Sequence, residues 1–178
     1  MPTCKMLSIK KVCCLAIGLI VAQLSCAATA KQPAPGFMAE LARDKVLSWQ
    51  FSPYTHHFSD NPEHKTVVLV GLEREYANQK LDGLALFSNS FGQPTVYLYP
   101  WGGVYKSILG VERLSFKWTA GLLYGYREPY EDKVPLNYKG FSPAVIPALA
   151  YEFKHGWSAQ VNVLGTAGLM FQLSAPFK

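Results

Sequence analysis

Beyond residue 26 the chain contains no cysteine; all four, Cys4, Cys13, Cys14 and Cys26, lie in its first stretch. Disulfide frameworks and thiolate metal sites are therefore excluded from everything downstream. A surplus of one charge is lacking too. With Lys5, Lys10 and Lys11 set aside, 14 of the 17 Lys and Arg remain against 12 Asp and Glu, and no basic patch speaks for a nucleic-acid partner. There is no GxSxG elbow, no cluster of His and carboxylates at metal-ligand spacing, and no glycine-rich phosphate loop. Neither metal nor cofactor is expected. The longest apolar run, "VCCLAIGLIVAQLSC", falls short of the roughly 20 residues that a membrane-spanning helix needs.

What that run does fit is a secretory signal peptide over residues 1–30. Three lysines precede it, and "AATA" closes it with small residues suited to cleavage after Ala30. Cys26 after "QLS" opens a lipoprotein alternative, but Gln23 stands where a lipid-attachment box usually has leucine. Residues 31–48 read as a leader plus a short amphipathic helix. "KQPAPG" is followed by "FMAELARDKVLSW", where Phe37, Leu41 and Leu47 share a face at helical spacing.

From residue 49 to 178 the pattern is that of strands. "WSAQVNVL" sets Trp157, Ala159, Val161 and Val163 on one face against Ser158, Gln160 and Asn162. "TAGLMFQLS" repeats the period with Leu169, Phe171 and Leu173 against Gln172 and Ser174. "LSFKWTAGLLYGY" puts Leu114, Phe116, Trp118, Ala120 and Leu122 opposite Lys117, a residue costly on a lipid face and so expected to point inward. With "WQFSPYTHHF", "KTVVLVGLERE", "LDGLALFSN", "PTVYLYPWG" and "FSPAVIPALAYEF", about eight antiparallel strands are predicted, the number of a small outer-membrane β-barrel. A secreted lipocalin-like barrel shows the same alternation with its apolar face inward. Trp49, Trp101, Trp157, Tyr76, Tyr99 and Tyr124 near strand ends favour the membrane form, whose interfaces carry aromatic girdles.

Two segments carry candidate chemistry. In "SPYTHHF" the parity of Trp49, Phe51 and Pro53 on the lipid face directs Gln50, Ser52, Tyr54 and His56 into the lumen. A bulge at Pro53 would shift that register, so His56 is the first choice and His57 the runner-up. In "LALFSNSFGQP" an apolar strand breaks into Ser88, Asn89 and Ser90. A hydroxyl beside a neutral imidazole is the minimal apparatus for acyl transfer, because the imidazole removes the proton and the oxygen attacks a carbonyl.

These pieces, in this order, resemble the PagP family of lipid A palmitoyltransferases: His56 in "THHF", Asn89 and Ser90 in "FSNSFGQP", "WTAGLL" at Thr119 to Gly121, Pro143 and Pro147 in "SPAVIPALA", and the closing "LMFQL". The likeness spans about residues 37 to 174, in short motifs whose consistent order is the main signal. It implies a monomeric enzyme of the bacterial outer membrane that moves a fatty acyl chain from a phospholipid donor to a lipid A acceptor. Carried over by position, His56 is the base and Ser90 the hydroxyl. Asn89 stands where the family has aspartate; it lacks the charge, so either the site is tuned differently or a nearby acid such as Asp60 contributes. Arg127 matches a rim arginine, and Tyr97 or Tyr99 the floor that limits the acyl chain. Pro143 and Pro147 each remove a ladder donor from one strand, as lateral entrances for acyl chains would require. A non-catalytic barrel and a deacylase with water as acceptor are the rivals.

Overall fold

A computed structural model of the chain describes residues 44–177. Eight strands follow one another: β1 Lys45–His57, β2 Leu69–Tyr76, β3 Leu81–Ser88, β4 Pro94–Lys106, β5 Leu114–Tyr124, β6 Phe141–Glu152, β7 Ser158–Val163 and β8 Gly168–Pro176. Each pairs antiparallel with the next, and β1 pairs with β8, closing the barrel. The expected helix lies mostly outside the described residues. Its last part is corrected: Lys45 to Ser48, Leu47 among them, are already strand. Here the ladder to β2, from Lys45↔Tyr76 onwards, outweighs helical spacing.

Alternation decides the two faces. Outward stand Val70, Leu72, Leu84, Leu98, Val145 and Phe171, all exposed and apolar. Inward stand Leu69, Ala85, Tyr97, Tyr99 and Lys117, all buried. The lysine thus points into the lumen, as its cost on an apolar wall requires. This is an inside-out distribution: the barrel wall is greasier on its outer side than a barrel bathed in water would be. No described helix is long and apolar enough to cross a membrane, and the architecture is compatible with an outer-membrane barrel.

The segments 77–80, 107–113 and 153–157 join strands at one end, the lower rim. There Arg74 grips Asp82 with two hydrogen bonds of 2.5 and 2.6 Å, fastening β2 to β3. At the other end, the upper rim, lie 58–68, 89–93, 125–140 and 164–167.

The wall is unevenly sealed. β1 pairs with β2 only from Lys45 to Ser52, while its pairing with β8 runs on to His57↔Gly168. β6 pairs with β5 along its whole length but with β7 only from Ala148. Pro53 stands in the first half-paired stretch, and Pro143 and Pro147 in the second. A residue without an N–H is least costly where a strand has one partner instead of two.

At Pro53 the register on β8 slips between Phe51 and Tyr54. Ser52 faces in, Pro53 and Tyr54 both face out, and alternation resumes one residue late. Tyr54 consequently stacks on Phe171 of the outer wall at 5.9 Å. The extra residue of the bulge therefore reverses the expected orientation of Tyr54 and of everything after it in β1.

A candidate active site at the upper rim

The reversal settles the two histidines' directions. His56 points outward, with Phe58 edge-on at 6.1 Å, which corrects its expected lumen orientation. His57 points inward, and its Nε2 lies 2.7 Å from Ser90 Oγ. Strand and loop approach each other because Lys65 N–H donates to the Ser90 carbonyl at 2.8 Å, tying segment 58–68 to the β3–β4 turn.

Asn89 does not reach His57. It is fully buried, and its Oδ1 accepts hydrogen bonds from the backbone N–H of Phe91 and of Gln93, both 3.0 Å. Its Nδ2 donates to the Gly125 carbonyl at 3.4 Å. The side chain organises the turn that presents Ser90, a common use of asparagine. Asp60 is exposed and has no ion-pair partner among the described residues. The neighbour of His57 is instead His64, whose ring lies 4.2 Å away at a tilt of 33° and in turn meets Phe91 at 5.6 Å. Nothing in the sequence around His64 singles it out; only the folding of 58–68 over the rim brings it there.

Below the pair lies a cavity of about 310 Å³, within the range that binds small ligands. Its upper walls are apolar, with Leu69, Ala85, Phe87, Leu123, Ile146 and Met170. Its lower end is polar. Lys117 forms a buried ion pair with Glu73, and Gln50 Nε2 donates to the second Glu73 oxygen at 3.0 Å. Tyr99 O–H reaches Gln50 and Glu73 at 3.2 and 3.4 Å. Gln160 accepts from Lys117 at 3.3 Å and donates to Asn162 at 2.7 Å, which donates to Gln172 at 3.2 Å. Every charge in this layer has a partner, which is what makes its burial tolerable.

Tyr97 and Tyr99 stack at 5.1 Å at the boundary between the halves. Tyr97 belongs to the upper half: its hydroxyl is 3.1 Å from Thr119 Oγ1 and donates to the Ala144 carbonyl at 3.4 Å, in the half-paired stretch of β6. Tyr99 belongs to the lower network. Gly83 is its ladder partner on β3, and a Cβ there would collide with the phenol.

Pro143 borders the cavity together with Ala144, Val145 and residues 164–167, so the half-paired stretch of β6 is also a side wall of the pocket. Pro147 lies further down, opposite Trp118 and off the cavity lining. Arg127 is exposed on the outside of the rim, over a hollow with Leu86, Val96 and Tyr124. It does not enter the lumen. Its backbone is clamped by Gln93, whose Oε1 accepts from Arg127 N–H at 2.9 Å.

Chemically, the arrangement is a hydroxyl and an imidazole sharing one proton at the mouth of an apolar pocket. From that position an imidazole can take a hydroxyl proton. No family model and no curated protein sequence matches the chain.

Proposed function

We propose that the protein is an outer-membrane acyltransferase of the PagP kind, moving a fatty acyl chain from a phospholipid to lipid A. The observation that carries this reading is the 2.7 Å contact between His57 Nε2 and Ser90 Oγ over an apolar cavity that ends on a polar floor. The base in this reading is His57, not His56.

In the first half-reaction His57 accepts the Ser90 proton as Oγ bonds to the ester carbonyl carbon. The tetrahedral intermediate collapses, the C–O bond to the donor breaks, and the proton passes from His57 to the departing lysophospholipid oxygen. In the second, a lipid A hydroxyl gives its proton to His57 and attacks the acyl-serine, and Ser90 leaves with that proton restored. Donor, acceptor and product balance without an oxidant, reductant or metal.

Two further features support the reading. The apolar outer wall suits a lipid bilayer, and a closed ladder would bar a chain arriving from the leaflet, whereas β1 and β6 each have a half-paired stretch beside the pocket. A pore needs an open polar lumen, but here the Glu73–Lys117 layer fills the lower half.

Mass spectrometry of lipid A from cells with and without the gene is the test. The expected result is an added acyl mass that disappears in the Ser90→Ala strain. Identical lipid A in all strains rejects the reading, and loss of an acyl mass in the presence of the active protein assigns a deacylase instead.

A further inference from the structure

Attack on an ester carbonyl creates a need that His57 and Ser90 do not meet. Negative charge develops on the carbonyl oxygen, and a preorganised donor aimed at it is among the largest single contributions to such reactions. Asn89 is not that donor, because both ends of its amide are committed to the turn. The backbone N–H of Phe91 is committed to Asn89 as well. Arg127 lies outside the lumen.

A side-chain donor stands at the same rim. Tyr126 lines the same cavity as His57 and Ser90, and the segment that carries it is tied to the Ser90 turn, where Asn89 Nδ2 donates to the Gly125 carbonyl at 3.4 Å. The Tyr126 ring meets Phe91 edge-on, 6.3 Å between centroids at 77°. Resting on the acyl-transfer reading, we propose that Tyr126 is the oxyanion donor of this site. Its O–H turns to the carbonyl oxygen as the Oγ–carbon bond forms.

The segment around it is held as such a role demands. Gly125 N–H donates to the Gly140 carbonyl at 3.0 Å, and Asn137 Nδ2 to the Tyr126 carbonyl at 2.8 Å. Gln93 Nε2 donates to the carbonyl of Arg127 at 3.1 Å and of Glu128 at 3.3 Å. Gly125 has φ +155°, and a Cβ there would strike Thr95, so the chain turns over the rim in a way open to glycine alone. Burial also pushes the Tyr126 phenol above its ordinary range, against the opposing effect of Ser90, and a phenol is an O–H donor at neutral pH with or without that shift.

No proton is transferred by Tyr126 in this scheme. In the resting site Ser90 Oγ lies 2.7 Å from His57 Nε2. When the proton passes to His57 and Oγ bonds to carbon, the carbonyl electrons move onto oxygen, which then accepts the phenolic hydrogen bond. Collapse of the intermediate frees the phenol again.

The test compares wild type, Tyr126→Phe and Ser90→Ala as purified full-length barrels. The probe is phospholipid donor and lipid A acceptor in detergent, with heat-dependent gel migration to report folding. Tyr126→Phe keeps the ring against Phe91 and removes only the donor. A fall in kcat of about 100-fold or more with little change in KM is expected. Asn137→Ala, which keeps the phenol but frees the segment that carries it, should lower kcat by a smaller factor, and it serves as the test if Tyr126→Phe does not fold. Tyr126→Phe turnover within about threefold of wild type overturns the oxyanion role while leaving acyl transfer intact, as does unchanged kcat in Asn137→Ala should that variant have to stand alone. A wild type no more active than Ser90→Ala overturns acyl transfer itself, and this role with it.

Discussion

The upper and lower halves of one lumen are built from the same alternating strands and yet are opposites. Above, Leu69, Phe87, Leu123 and Ile146 surround empty space, and the wall has half-paired stretches at β1 and β6. Below, Gln50, Glu73, Tyr99, Lys117 and Gln160 fill the space with a chain of hydrogen bonds. A closed barrel does not depend on a packed apolar core for its ladder, so one end can be left hollow if the other is made rigid. The lesson is a division along the barrel axis: a hydrogen-bonded polar layer fills the lower half, and an apolar cavity under a histidine and a serine occupies the upper.

The sharpest way to break that division is at the rim. Ser90→Ala and His57→Ala should each reduce acyl transfer at least about 1,000-fold, since a nucleophile and its base act as a unit. The heat-dependent gel migration of the folded barrel should be unchanged, because rim positions contribute little to it. His56→Ala, one residue away but pointing outward, should retain transfer. If His56 proves essential and His57 dispensable, the rim contact between His57 and Ser90 is not the working one.

In the lower half the effect should reverse. Glu73→Ala leaves the Lys117 ammonium buried without its counter-charge, and breaking such a pair costs about 3–5 kcal/mol. Urea unfolding of the barrel in lipid vesicles measures it. A loss below about 1 kcal/mol would mean that the polar layer is not what holds this end together.

The smallest change is expected at the boundary. Tyr97 closes the apolar half from below, whereas Tyr99 is already engaged by Gln50 and Glu73. Tyr97→Gly should extend the pocket and shift preference toward longer donor chains, by about 0.8 kcal/mol, or roughly fourfold, for each further methylene buried. Competition between phospholipids of different acyl length, read by mass spectrometry of the product, checks it. An unchanged preference with turnover retained would remove Tyr97 as the floor.

Much of this design is legible in the residues. The clean alternation of "WSAQVNVL" and "GLMFQLS" marks β7 and β8 with the correct faces, and Lys117 within "LSFKWTAGLL" is forced inward by its charge. Leu69, Ala85, Tyr97 and Tyr99 fall inside by the same rule. Periodicity fails where one residue is added. At Pro53 the bulge exchanges His56 for His57, and parity counted from Trp49 carries no sign of it. It fails again in the loops, where Asn89, a candidate partner of the histidine, serves the β3–β4 turn, and where His64 and Tyr126 arrive beside the pair from segments with no period to read.

The sequence by itself determined the barrel, its strand number, its apolar exterior and the presence of a serine and a histidine near one rim. Those follow from an interaction that repeats every second residue, so that local pattern and global closure agree. Only the tertiary structure decided which histidine meets Ser90, what surrounds it and where the cavity ends. Those depend on one slipped register, on loops folding over a rim, and on side chains meeting across the lumen from strands far apart in the chain.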